Sequence, residues 1–497
     1  MLYWDQLVYP YRKRANSTEI KTKSDTRSPF KKDFDTVCNS SVLRRLQDKA
    51  QVFPLEVEDY ARTRLTHSIE VMTIAESLAI PAVEVIKTDI KEYLHKDWNK
   101  GKKYTDVRKW VDDIPIILKA AALLHDMGNP PFGHLGEQII SDWFQNDLPR
   151  IVETGNAKTG FQYAFENASK DNSSILSNKL KGEMANDLTH FEGNAQLLRL
   201  VTKLCYATDE NGMNLSYPII ATFIKYPCSS SNMNKAVLSK KKPGFFFAEK
   251  DVFDDVEKKL GLNNCRHPLA FLLEAADDIA YLSADIEDAQ KKGIVSISML
   301  ESYLRKKEED PMVKNVIDRI DHYRNEASRI NYPDIDDYII HRTRVLIKGI
   351  MIDAVQTAFV ENYKAIMEGT FECELLEKSA AKELMNVLRT IERERIYYCQ
   401  SIVESKTRAF TIIEKLLSTY VMAVLNYSEG DKGKDSSNNL LYSSLSKNYR
   451  FVCENAIGKE IDLNEKIYHK LLLVTDQIAG MTDTHAMVVY NTTLAIS

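Results

Sequence analysis

The chain has 497 residues, 44% hydrophobic and 28% charged, with a formal net charge of −5. That is enough for a large core and one to three domains, and the slightly acidic balance excludes a global pull towards nucleic acid, leaving only local basic patches. Glycine (18) and proline (14) are sparse, and apolar residues recur at three- and four-residue spacing, so the expected fold class is all-α.

The seven cysteines (Cys38, Cys205, Cys228, Cys265, Cys373, Cys399, Cys453) are scattered and contain no C-x-x-C pair. They fit a reducing, cytoplasmic setting and argue against a cysteine zinc site or a disulfide framework. The N-terminus carries Asp5 and Tyr11-Arg12-Lys13-Arg14 without an apolar segment, which is not a signal peptide. No run approaches eighteen apolar residues, so no membrane span is expected.

In chain order, residues 1–36 read as an N-terminal arm, polar and basic from 12 onwards, with a disordered leader as the alternative. A helix is predicted over 37–51, followed by Val52-Phe53-Pro54. Another begins near Asp59, with Leu65, Ile69, Met72, Ala75 and Ala79 as its apolar face and His67 in its first turns. Residues 83–113, charged with scattered aromatics, read as an inserted excursion. Beyond a polar stretch at 150–186 comes a helix with His190 near its beginning, then a lysine-rich loop at 228–243 and a helix at 267–289. From about 295 the chain is helical, with a flexible loop at 428–438. The expected organisation is therefore an arm (1–36), a core (37–295) and a helical C-terminal region (296–497) that adds packing and oligomer contacts.

Ala120 to Gln138 carries the chemistry: A-A-A-L-L-H-D-M-G-N-P-P-F-G-H-L-G-E-Q. An apolar helix ends in His125-Asp126, after which Gly128, Pro130 and Pro131 turn the chain. His134 and Glu137 follow, three apart and so on one face of a new helix. Imidazole and carboxylate ligands suit a hard or borderline divalent ion that keeps positions open for water and substrate. His67, His125 and Asp126 are candidates, together with the acidic pair Asp277-Asp278, which sits in an apolar helix where a buried carboxylate must be paired or metal-bound.

The H…HD…D pattern resembles that of the HD-domain phosphohydrolases, an all-helical superfamily. Seven ordered strings narrow the resemblance: R-S-P-F-K-K-D-F-D, R-R-L-Q-D-K-A-Q-V-F-P, Y-A-R-T-R-L-T-H-S, H-D-M-G-N-P-P-F-G-H-L-G-E, H-F-E-G-N-A-Q, E-A-A-D-D-I-A-Y and A-G-M-T-D. Across nearly the whole chain they resemble the bacterial deoxyguanosinetriphosphate triphosphohydrolases. The resemblance implies His67, His125, Asp126 and Asp277 as ligands of Mg²⁺ or Mn²⁺, with Asp278 outside the ligand set. It further implies hydrolysis of dGTP, or of dNTPs more broadly, to deoxynucleoside and tripolyphosphate by attack of water at the α-phosphorus.

The poor 5′-alkoxide leaving group needs a proton donor, a role that fits His134 with Glu137 orienting it and holding it protonated. Arg64 is the first candidate to neutralise the triphosphate; Lys225, Tyr226, Lys242, His190 and Asn194 resemble the family's phosphate contacts. By the same resemblance Gln51 and Asp285 hold the 3′-hydroxyl and Tyr281 stacks under the sugar. Asp277, Tyr281 and Asp285, each four apart, share one helix stripe. A solvated lysine run at 240–242 and core packing of Tyr281 are the plain alternatives. Guanine recognition has no residue assigned; Arg342, Arg344 and the basic residues near 393–408 read better as solvated helix faces.

Another HD hydrolase would share the ligands but not the G-N-P-P-F-G-H-L-G-E string. A dNTP- or single-stranded-DNA-responsive regulatory protein would be expected to lose a ligand or the His-Glu pair, both kept here. Single-stranded DNA binding, implied for some relatives, would use Arg12, Lys13, Arg14 or the 240–242 run. A homohexamer is implied by the resemblance alone.

Overall fold

A computed structural model describes residues 1–14, 25–54, 61–95, 104–147, 182–205, 211–427, 436–459 and 461–494. The polar stretch at 150–181 and most of the expected loop at 428–438 lie outside these residues. Among them the fold is all-α, with no strand and two isolated bridges, Ala50–Thr63 and Ser229–Phe245.

We number the helices that position the site α1 (Pro29–Asn39), α2 (Arg64–Asp89), α3 (Ile114–Leu124), α4 (Gly133–Asp142), α5 (Glu183–Thr189), α6 (Gly193–Arg199), α7 (Tyr217–Phe223), α8 (Pro268–Lys291), α9 (Ile335–Glu368), α10 (Lys382–Ile391), α11 (Gln400–Asn426), α12 (Leu463–Ala479) and α13 (Asp483–Val489). α3 is apolar almost all round and lies at the centre, packed by α1, α2 and α7. α8 packs against α2, α7 and α9, while α11 packs against α4 and α12. One apolar cluster runs from Leu2 to Ala486, so the C-terminal helices share the core of the N-terminal half.

The described residues of the N-terminal arm, 1–14 and 25–36, are a structural part of this core; its residues 15–24 lie outside the described set. Leu2, Trp4, Leu7 and Val8 are buried, and the Trp4 indole donates to the Tyr363 hydroxyl at 2.6 Å. Arg12 is committed as well: it pairs with Asp33 at 2.6 Å and donates to the Asn214 carbonyl, so it is not free for nucleic acid. Helix 37–51 is also redrawn. Ser28 caps α1, with Pro29 in its first turn, and the chain breaks at Ser40, which caps a five-residue helix, Ser41–Arg45.

α2 runs further than expected, through Pro81 to Asp89, and Val83, Ile86, Ile90, Val107 and Val111 are buried. The excursion thus contributes apolar side chains to the core; its residues 96–103 lie outside the described set. The apolar face of α2 keeps the expected Ala75 and Ala79, both buried, but is otherwise rotated. Ile69 is 44% exposed, whereas His67, Val71, Ile74 and Leu78 face inwards, because α3 and α8 pack on that side. α11 contains a window of mean hydropathy 1.3, long enough to cross a membrane by length and composition. Its Ala409, Ile413, Leu416, Leu417 and Val421 are buried in the protein core against α4 and α12.

Candidate active site

The histidines come from two helix ends. Thr63 caps α2, its hydroxyl accepting from the Thr66 N–H, and this starts the helix one residue before Arg64 and one turn before His67. His125 closes α3 and its Nδ1 donates to the Ala122 carbonyl at 2.7 Å, which turns Nε2 towards the site. Asp277 projects from α8. Its Oδ1 lies 3.0 Å from His67 Nε2 and 3.6 Å from His125 Nε2. One ligand atom from each of the three lies within 4.8 Å of the others, and His125 Nε2 is buried without a hydrogen-bond partner. Two imidazoles and a carboxylate converging on an orphaned ring nitrogen fit a divalent ion with room for further ligands.

Asp126, the fourth expected ligand, lies at the edge of this group, with Oδ2 3.7 Å from His125 Nε2. That oxygen accepts from Arg64 Nη1 at 2.7 Å, while Oδ1 accepts from Asn129 Nδ2 at 2.6 Å. Burial alone would raise the Asp126 carboxyl, but Arg64, His125 and His67 hold it down at about 2. For His125 burial opposes the charge, yet Asp126 and Asp277 outweigh it and push the imidazole up to about 9. Asp278 points away, is buried, and pairs with Arg389 at 3.2 Å.

The loop after His125 is shaped by backbone crowding. A Cβ on Gly128 would lie 2.0 Å from the Gly193 carbonyl, so the loop and α6 touch main chain to main chain. Phe132 and Gly133 both take the left-handed conformation (φ 64° and 59°), and a Cβ on Gly133 would strike Arg64 Nη2. This turn starts α4 and delivers His134 and Glu137. The exposed His134 ring bonds through Nδ1 to Glu137 Oε2 at 2.8 Å, and the buried Glu137 takes the Gly193 N–H on Oε1 at 3.0 Å. The Glu137 carboxylate beside it raises the His134 pKa. Arg64 spans both features, bonded to Asp126 and lying against Gly133.

The remaining expected contacts divide. Lys242 pairs with Glu192 Oε2 at 2.8 Å, and Asn194 Nδ2 donates to Glu192 Oε1 at 2.8 Å, which gathers both near the His134–Glu137 pair. Lys225 pairs with Glu274 of α8 at 3.0 Å, and Tyr226 is buried beside it. His190 is exposed. The expected helix around it is two helices, α5 ending at Thr189 and α6 starting at Gly193, and the His190 ring bonds locally to Thr189 and to the Asn186 carbonyl. On α8, Tyr281 is half-buried and Asp285 buried, with Asp285 Oδ1 unpartnered; Gln51 Oε1 is likewise buried and unpartnered. Burial first, then Asp288, raises the Asp285 carboxyl well above the usual range.

Sequence reasoning passed over Glu192 and Asn129, although both lie inside quoted strings. It also missed Glu392, which is buried beyond α10 and held up at about 9 by burial and by Asp285. No motif marks Glu392; only the fold brings it to α8. Arg344 pairs with Glu70 and Glu287, whereas Arg342 is exposed beside Glu326.

The HD domain profile matches residues 64–200, the segment carrying His67, His125, Asp126, His134 and Glu137. A deoxyguanosinetriphosphate triphosphohydrolase-like protein of Listeria innocua is 39% identical over 98% of this chain and 98% of its own. One of Synechocystis is 31% identical over 99% of each. A deoxyguanosinetriphosphate triphosphohydrolase of Yersinia enterocolitica is 28% identical over 94% of each. With the ligand-bearing helices and near-complete coverage both in place, the chain belongs to the deoxyguanosinetriphosphate triphosphohydrolase-like family of HD-domain proteins.

Proposed function

We propose that the protein hydrolyses deoxynucleoside triphosphates, dGTP foremost, to the deoxynucleoside and tripolyphosphate. The observation that carries this reading is the pairing of two distinct features in one site: the His67–His125–Asp277 group and a separate His134 held by Glu137, with Arg64 touching both neighbourhoods. Water attacks the α-phosphorus and the bond from that phosphorus to the 5′-oxygen breaks. His67, His125 and Asp277, with Asp126 beside them, would hold Mg²⁺ or Mn²⁺, which supplies Lewis acidity to a phosphate oxygen.

The rest falls to side chains. His134, kept protonated by Glu137, gives its proton to the departing 5′-oxygen. Arg64, Lys225 and Lys242 balance the triphosphate charge, with His190 and Asn194 as further phosphate contacts. The unpartnered oxygens of Gln51 and Asp285 suit a 3′-hydroxyl, and Tyr281 stacks under the sugar in a site that leaves no room for a 2′-hydroxyl. Assembly as a homohexamer and a response to single-stranded DNA belong to the same proposal and rest on the resemblance alone.

The test is to incubate metal-supplemented protein with each dNTP and with GTP and to separate the products. Deoxyguanosine and tripolyphosphate from dGTP are expected. Similar rates on all four dNTPs would replace guanine preference by broad specificity, and release of orthophosphate or pyrophosphate would sink attack at the α-phosphorus.

A further inference from the structure

The string A-G-M-T-D at 479–483 has no part in the chemistry above, yet the fold carries it to the site. Asp483 starts α13 and is buried. Its two carboxylate oxygens accept from two backbone N–H groups far apart in the chain: Oδ1 from Phe132 and Oδ2 from Ala50, each at 2.9 Å and at separations of 351 and 433 residues. Beside it the buried Lys49 Nζ donates to the carbonyls of Asn129 (2.5 Å) and Ala479 (2.8 Å), and Arg45 donates to the Gly480 carbonyl at 3.0 Å. Three chain segments, 45–51, 129–132 and 479–483, therefore meet through polar side chains on main-chain atoms.

Each bond bears on the site. Phe132 holds a left-handed φ of 64°, a conformation that a bulky residue keeps only when its surroundings impose it. The Asp483 bond lands on that residue, one position before α4 begins and two before His134. Ala50 precedes Gln51, and the same segment bridges to the start of α2, where the Arg64 N–H donates to the Lys49 carbonyl at 2.8 Å. We propose that Asp483 is a positioning residue for the reaction, fixing through Phe132 the angle at which His134 is presented and through Ala50 the place of Gln51, with Lys49 securing the same turn. The C-terminal region is then a working part of the site. This rests on the roles given to His134 and Gln51 under Proposed function.

The experiment compares Asp483→Ala, Asp483→Asn, Asp483→Glu and Lys49→Met with wild type in the full-length protein. Thr484→Val is the control, since it breaks only the neighbouring exposed tie from Thr484 to Asp48. Three readouts are taken: kcat on dGTP, the preference for dGTP over 2′,3′-dideoxy-GTP, and the His134 titration by NMR of ¹³C-labelled histidine, assigned with His134→Asn. Glu137, Glu192, Lys242 and Arg64 are the charges acting on His134, and Asp483→Ala leaves all four in place.

Asp483→Ala should lower kcat by about 10- to 100-fold, the range expected when a reacting group is displaced by about 1 Å. It should also shrink the sugar preference and lower the His134 pKa as the ring leaves Glu137, while Mn²⁺ binding by calorimetry stays intact. Lys49→Met should shift the same three readouts in the same direction. Asp483→Asn, which keeps the shape and one acceptor, should be intermediate and decides the matter if the alanine variant does not fold. Asp483→Glu should recover part of the loss. An unchanged His134 titration, with kcat and sugar preference within about twofold of wild type, overturns the proposal. Should wild type hydrolyse no dNTP, the reading of function fails while the NMR titration still decides the positioning role.

Discussion

The site holds two histidines with raised proton affinity, His125 and His134, and they are built for opposite ends. His125 is wedged between two carboxylates, Asp126 and Asp277, both candidate ligands, and its Nε2 makes no hydrogen bond. On the proposed function its proton would give way to a bound metal ion. His134 leans on a single carboxylate, Glu137, whose second oxygen is tied to the Gly193 N–H, so the pair is held in register from α6. Its proton is stabilised where a leaving group can take it. On the proposed function, similar local electrostatics would serve a ligand in one place and an acid in the other, with burial and geometry setting the difference.

The largest test of that contrast removes each member. Asp277→Ala should abolish calorimetric Mn²⁺ binding and lower kcat at least about 10³-fold, since Lewis-acid stabilisation is worth several kcal/mol. His134→Ala should cost about 10²- to 10⁴-fold in kcat and leave Mn²⁺ binding intact. Equal loss of metal in both variants would erase the distinction.

Next in size is Glu137→Gln, expected to lower kcat about 10- to 100-fold through loss of an oriented, protonated His134. The sign of the pH effect follows from the shift. Glu137 raises the His134 pKa, so the acid form persists above the ordinary histidine range in wild type and disappears sooner without the carboxylate. The alkaline limb of the kcat profile should move to lower pH; a shift to higher pH would contradict the assignment.

A smaller effect concerns metal binding itself. With the metal-free His125 held at about 9, binding at pH 7 must displace a proton, so affinity should weaken about tenfold for each pH unit lowered between 8 and 6. Calorimetry in buffers of different ionisation enthalpy should show about one proton released per ion. The smallest effect is expected for Gln51→Ala: about tenfold in kcat/KM for dGTP, and much less for 2′,3′-dideoxy-GTP, as one hydrogen bond to the 3′-hydroxyl is lost.

How far the site could be read in the chain depends on distance. His134 and Glu137 lie within one turn of a helix whose start is announced by Pro130-Pro131-Phe132-Gly133, so spacing alone placed them on one face. Asp277 stood out as a carboxylate in an apolar helix, and the resemblance chose it over Asp278; the rotation of α8 supplies the physical reason, since one reaches the histidines and the other Arg389. The helix assumed through His190 broke because His190 to Glu192 leave helical geometry between α5 and α6, placing the Gly193 N–H on Glu137. The face of α2 was misplaced in part, at Ile69, for a related reason. Apolar periodicity does not show that a polar His67 and Arg64 belong on the inward side.

By itself the sequence determined the all-α class, the helix ends bearing His67 and His125, the His134–Glu137 spacing and the family. The first three depend on residue types and intervals within a few helical turns, the family on ordered strings along nearly the whole chain. Tertiary structure alone decided that the N-terminal arm is core, that Glu192 collects Lys242 and Asn194, and that Asp483 grips Phe132 and Ala50. Apart from Glu192–Asn194, two residues apart, those contacts join atoms tens to hundreds of residues apart. Their energies come from burial and from satisfying buried main-chain groups, which no local interval encodes.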